Sequence, residues 1–148
     1  MKLSAKGRYA LVSLVSLAQK YDSGIYTTVL SISEKLDISK IYLEQVFSLL
    51  KRGGLVTAAK GAQGGYQLSR EPRQITLFEV LSAVELPLFE KNDATVADTA
   101  PEIENAVRGL VYTRIDSALE SALKSVTLED LAAESERLKN DNTNMFYI

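Results

Sequence analysis

The chain has no cysteine and no histidine among its 148 residues. Without cysteine there are no disulfides, no thiol redox chemistry, no zinc fingers and no cysteine-ligated iron–sulfur clusters. Without histidine the commonest general acid/base is missing as well. No apolar run approaches the roughly 20 residues that cross a bilayer. Three prolines and eight glycines leave little room for long disordered stretches. An enzyme is the weakest reading, because no nucleophile stands beside a base and no pair of carboxylates stands out. Hydrophobic residues make up 46% of the chain, enough for a real core, and the length suits one domain or one small domain with an appendage.

What is present is unevenly spread. Residues 1–72 carry ten Lys/Arg against five Asp/Glu, and residues 73–148 carry seven against fourteen. A half at +5 joined to a half at −7 suggests that only the first meets a polyanion, with chance clustering on solvated surfaces as the bland alternative. The opening MKLSAKGRYALVSLVSLAQK sets basic residues before an apolar stretch, as a secretory signal does. Arg8 and Tyr9 nevertheless precede a 3.6-residue period and no small-residue cleavage site follows. The stretch therefore reads as an amphipathic helix of a cytoplasmic protein.

Ser4 suits the N-cap of a first helix over about 5–21, with Ala10, Leu11, Leu14, Val15, Ala18 and Tyr21 on one face. Lys2, Lys6 and Arg8 crowd its start, where positive charge opposes the helix dipole. A phosphate backbone accounts for these cations better than helix stability does. Asp22-Ser23-Gly24 turns the chain. Thr27 or Thr28 caps a short second helix to about Leu36, with Val29, Leu30, Ile32 and Leu36 apolar. After Leu36-Asp37-Ile38, Ser39 caps a third helix that buries Leu43, Val46, Phe47 and Leu50 and stops at Gly53-Gly54. Two helices joined this tightly form a helix-turn-helix. Residues 55–60 then read as a strand and 66–68 as its partner, with Gly61, Gly64 and Gly65 turning between them before Tyr66. A phosphate-cradling loop is rejected here, since no Gly-Lys-Ser/Thr closes it and a strand, not a helix, follows. Helix, tight stop and hairpin make a winged helix, and a tip carrying Lys60 and Gln63 suits a DNA groove or backbone.

Thr76-Leu77-Phe78-Glu79 opens a further helix as a capping box, ending before Pro87. A polar loop over 88–100 follows. Pro101 then starts the longest helix, about 101–126, striped by Ile103, Val107, Leu110, Val111, Ile115, Ala118, Leu119 and Ala122. Such a helix spans roughly 40 Å, beyond the ~25–30 Å of a domain of about 80 residues. The natural cover is the same helix of a second copy in a C2 pair; folding back on its own domain is the alternative. Thr127 to Asp130 is another capping box, opening a short helix to about Leu138. A polar spacer, 139–144, leads to Met145, Phe146, Tyr147 and Ile148, an apolar tail that can dock on its own dimer or enter a partner's pocket. The expected fold is mainly α with a small β-hairpin wing. A winged helix-turn-helix DNA-binding domain occupies 1–86; the loop, long dimerisation helix, short helix and tail occupy 87–148.

Three separated motifs, Met1 to Ala10, Ser39 to Gln45 and Lys60 to Tyr66, resemble the Rrf-two family of bacterial transcription regulators, and the likeness covers nearly the whole chain. The resemblance implies a winged helix followed by a long dimerisation helix. Cluster-binding members carry three cysteines in the loop before that helix; here the loop has none, so a cluster of that type is excluded and no cofactor is expected. Lys60 stands where many members have arginine, and Gln63 with two following glycines where many have Pro-Gly-Gly-Gly, so a minor-groove wing arginine does not carry over. Thr127 to Leu131 and the Met-Phe-Tyr-Ile end resemble the CymR-type branch of cysteine-metabolism repressors. That branch acts with cysteine synthase, the O-acetylserine thiol-lyase.

The expected function is that of a homodimeric, cluster-free DNA-binding repressor of cysteine and sulfur genes on an inverted-repeat operator. Tyr42, Glu44 and Gln45 are the expected base or flanking-phosphate contacts, glutamine suiting adenine and glutamate the cytosine amino group. Lys2, Ser4, Lys6, Arg8, Ser39, Lys40, Lys60 and Gln63 complete the expected DNA surface. The tail would report the state of cysteine synthase, its terminal carboxylate mimicking an amino-acid substrate. The alternatives are a winged-helix regulator of another regulon with a small-molecule effector, and a protein-interaction module.

Overall fold

The computed structural model describes residues 1–61 and 64–146, with side chains described to residue 143. Its elements are α1 (Ala5–Gln19), α2 (Val29–Leu36), α3 (Lys40–Arg52), β1 (Val56–Ala59), β2 (Gly65–Leu68), α4 (Leu77–Val84), α5 (Pro101–Val107), a π-turn (Arg108–Tyr112), α6 (Thr113–Lys124) and α7 (Leu128–Phe146). The fold is mainly helical with one hairpin, as the residue pattern predicts. No described helix is long and apolar enough to cross a membrane.

The first helix starts where expected and ends early. The Ser4 hydroxyl accepts from the Gly7 amide at 3.3 Å, but α1 stops at Gln19 rather than Tyr21. Residues Tyr21–Ser23 form a 3-10 turn closed by Gly24 at φ 68°. Its buried line is Ala10, Leu14 and Leu17 with Ser13 and Ser16. Leu17 is therefore an addition to the predicted stripe. In α2 the cap is Thr28, accepting from Ser31 at 3.0 Å. Thr27 instead pairs backbone to backbone with Tyr66, at 2.9 and 2.8 Å, and ties the entry of α2 to the wing. Val29 and Ile32 are buried, whereas Leu30 is half exposed.

Asp37 makes the sharp turn from α2 into α3, at φ 54° and ψ 52°. A short Asx side chain tolerates that left-handed geometry better than most. Ile38 is held on both sides, its amide donating to the Ser33 carbonyl and its carbonyl accepting from the Ser33 hydroxyl. Leu43, Val46, Phe47 and Leu50 of α3 form the centre of the core. At the far end the positive φ falls on Gly54. The strands pair antiparallel, Val56 with Leu68 through Ala59 with Gly65. Gly65, at φ 147°, lies so close to Thr27 that a Cβ would meet its carbonyl oxygen at 2.6 Å.

The second half departs further from expectation. Thr76 caps α4 through the Glu79 amide, but Glu79 does not reach back: its carboxylate pairs with Arg70 instead. Thr127 and Asp130 do complete a reciprocal box, at 2.9 and 3.2 Å. Leu128, within it, is fully buried in the same core as Phe47, and α7 packs along α1. A cut after residue 86 would therefore pass through shared packing. The predicted break at Leu138 does not occur. Residues 139–144, expected as a spacer, continue α7 to Phe146. Lysine is a good helix former and asparagine only modestly poorer, and Arg137 pairs back with Glu134 and forward with Asp141 in that stretch.

The long helix is real but not uniform. Residues 101–124 run on through one π-turn, about 36 Å in all. A π-turn is equivalent to one inserted residue. In a straight α-helix Ile103 and Ile115, twelve residues apart, would lie about 120° apart around the axis; one inserted residue removes roughly 100° of that. Ile103, Val107, Leu110, Val111 and Ile115 thereby share a face, and all five are exposed. Leu119 is half-buried where α6 rests on α4, and Ala118 and Ala122 face outward.

Candidate nucleic-acid interface

The α3 helix offers one face to the core and the other to solvent. Lys40, Ile41, Glu44, Gln45 and Ser48 are all exposed on it. Ile41, Glu44, Gln45 and Ser48 follow a three- and four-residue spacing, so they form a single strip. Lys40 lies 3.6 Å from Glu44, one turn on, with both side chains about half exposed. An exposed pair of this kind adds only a few tenths of a kcal/mol. Either partner can exchange it for a ligand at little cost. Ser39 accepts from the Tyr42 amide at 3.4 Å, and its hydroxyl hydrogen is not used in that bond.

Tyr42 does not lie on this strip. Its ring is half-buried and packs edge-on against Tyr9, centroids 5.2 Å apart. That contact sets the start of α1 beside the start of α3. The early turns of the two helices are thus joined through their side chains. Lys2, Lys6 and Arg8 are exposed around them. Arg8 folds back to donate to the Leu3 carbonyl at 2.9 Å, which fixes the arm ahead of the helix.

Ser4 has a different role from the one expected. Its hydroxyl accepts from Gly7 and donates to Glu85 at 2.6 Å, and its amide points at both Glu85 oxygens at 3.2 Å. No donor remains for a phosphate. Glu85 is buried, and its carboxylate occupies the space that a side chain at residue 7 would need. The composition held no signal for this contact, since Glu85 is 81 residues from Ser4. The wing is attached by Tyr66, whose ring lies tilted at 37° against Phe47 with centroids 4.8 Å apart. Lys60 is exposed where β1 enters the turn at its tip. Gln63, expected at the tip, lies outside the described residues, as do the side chains of Met145 and Phe146 and the whole of Tyr147 and Ile148.

The geometry, a helix-turn-helix with a basic arm on one side and a hairpin on the other, is that of a DNA reader, and comparison with known proteins agrees. A sequence model of the Rrf2 family, described as an iron-dependent transcriptional regulator, matches residues 3–134. The chain belongs to the Rrf2 family. It is 38% identical over 148 residues to the HTH-type transcriptional regulator CymR of Bacillus subtilis, covering all of both chains. The solved structure of that global cysteine regulator superposes with a TM-score of 0.74, covering 90% of this chain and 98% of that one. IscR of T. potens superposes at 0.72 with 32% identity, covering 93% and 90%. The chain is thus a transcriptional regulator of the Rrf2 family, a class that binds DNA and is not enzymatic.

Iron in the family's description raises the question of where a metal would sit. Cysteine and histidine are absent from the chain, and no group of three or more carboxylates among the described residues could hold an ion. Glu104, at the start of the long helix, is buried but already engaged. It accepts from the Thr95 and Val96 amides at 3.0 and 2.9 Å and from Arg108 at 3.2 Å. Those two amides, Val96 first, hold its carboxyl below the usual carboxylate range. The loop before the long helix is therefore clamped by a carboxylate, and its residues do not fit an iron site.

Proposed function

We propose that this Rrf2-family protein is a homodimeric repressor that works without an iron–sulfur cluster and controls genes of cysteine and sulfur metabolism. The carrying observation is the pairing of two exposed surfaces of opposite kind. One is the polar strip of α3, flanked by the cations of the arm and by Lys60. The other is the apolar face from Ile103 to Ile115, which a second copy would cover. Two reading helices held by such a pair would meet an inverted repeat, about one DNA turn or a multiple apart. Glu44 and Gln45 would face base edges, with Lys2, Lys6, Arg8, Ser39, Lys40 and Lys60 on phosphates. Tyr42 would act by holding α1 against α3. The sulfur assignment rests on the likeness to the cysteine regulator of B. subtilis.

Selection of bound duplexes from a random pool, read with and without cysteine synthase, tests this reading. An inverted repeat is expected. Binding of single half-sites only would refute the dimer. The same proposal gives the Met145 to Ile148 end to cysteine synthase, whose substrate site must accept an amino-acid carboxylate. Deleting Tyr147 and Ile148 should abolish enzyme capture and leave bare DNA affinity unchanged; undiminished capture would sink that part alone.

A small-molecule effector is the second reading. It is favoured by an apolar groove of about 590 Å³ between α1 and α7, lined by Val12, Val15, Leu36, Leu131 and Leu138. Thermal-shift screening of sulfur metabolites against the whole protein separates the two: a stabilising metabolite that also changes operator affinity favours the groove.

A further inference from the structure

Ile41 is the second residue of α3, and 72% of its surface is exposed. Among the described residues only Met1 is a more exposed aliphatic side chain. Folding does not account for it. The buried line of α3 runs through Leu43, Val46, Phe47 and Leu50 on the other side. A β-branched side chain at an open helix position is a weaker helix former than the lysine or glutamate beside it. Nor does it belong to an apolar patch: the strip it shares with Glu44, Gln45 and Ser48 is otherwise polar, and the Lys40–Glu44 pair lies next to it. A protein partner would be met by a larger apolar area.

The chemistry that fits one aliphatic group within a polar strip is a base-pair edge. Base edges in the major groove present donors and acceptors and a single kind of apolar group, the C5-methyl of thymine. The first turn of a recognition helix is also the part that reaches those edges. We propose that Ile41 reads the C5-methyl group of a thymine in each half-site and is a specificity-determining residue of this protein. This rests on the DNA-binding reading above.

The test removes one methyl group at a time. After a bound sequence has been selected with the full-length protein, each thymine is replaced singly by uracil, which differs only by that methyl. The wild type is expected to lose about fourfold in affinity at one position per half-site, the value of one buried methyl-sized group. Ile41→Ala should bind the thymine and uracil duplexes equally, with an unchanged melting temperature, and Ile41→Val should keep most of the preference. The proposal is overturned if no uracil replacement weakens wild-type binding, or if Ile41→Ala keeps the wild-type thymine-to-uracil ratio. Failure of any duplex to bind in a salt-dependent way would instead overturn the DNA-binding reading itself, so the two failures are distinct.

Discussion

Two helices of this molecule are built in opposite senses. The α3 helix buries its apolar face completely within its own chain and exposes a polar strip. The continuous helix of α5 and α6 buries almost none of its apolar residues and exposes five of them in line. The same residue types thus mean different things. Phe47 on α3 is fully buried in the core, while Leu110 on the long helix is mostly exposed. The buried core line and the exposed apolar face thus lie on separate helices, so each can be disturbed without the other.

Phe47→Ala should produce the largest effect. It empties the centre of the core and should cost about 3–5 kcal/mol in chemical denaturation. A loss below about 1 kcal/mol would break the contrast from the α3 side. Leu110→Glu combined with Ile115→Glu should leave the fold intact, since both side chains are exposed. It should convert a dimer to a monomer in sedimentation and lower operator affinity about a hundredfold. A dimer that survives both charges would break the contrast from the other side. Glu44→Ala should relax preference at one base pair by about 1–3 kcal/mol, whereas Lys6→Ala should weaken all sequences alike and reduce the salt slope by about one. Uniform losses from both would remove the division between reading and anchoring.

The smallest effect concerns the start of the long helix, where it meets the loop at Thr95 and Val96. Glu104 has its carboxyl held below the ordinary range by the Val96 and Thr95 amides. A group depressed on folding contributes stability above its unfolded value and loses it as the pH falls through the folded one. The wild type should therefore lose part of its thermal stability on acidification through and below the ordinary carboxylate range. Glu104→Gln should flatten that part of the profile, and parallel profiles would show that the clamp carries no linkage.

Much of the reading head was legible from residue spacing. Helix caps at Ser4, Ser39, Thr76 and Thr127 are local, so a few neighbouring residues specify them. The α3 core line and the hairpin are likewise short-range patterns. Misses came where distant residues intervene. Ser4 is suited by type to phosphate, but Glu85 claims its hydroxyl. Glu79 is placed for a capping box, but Arg70 draws it away. Tyr42, expected at base edges or flanking phosphates, has its ring set against Tyr9. The end of α7 was missed for another reason: a polar run suggests a spacer, while ion pairs around Arg137 carry the helix through it.

The sequence by itself determined the helix-turn-helix, the wing, the long apolar-striped helix and the lack of any thiol or imidazole ligand, because periodicity, caps and composition are properties of neighbouring residues. Only the tertiary structure decided which of these features are used internally and which remain exposed. It drew Glu85 over Gly7, returned Leu128 to the first core, and set a π-turn where the apolar stripe would otherwise have wound away from one face. A stripe that winds by about 120° over the twelve residues from Ile103 to Ile115 leaves one face, and whether that drift is corrected depends on backbone geometry that spacing alone does not fix.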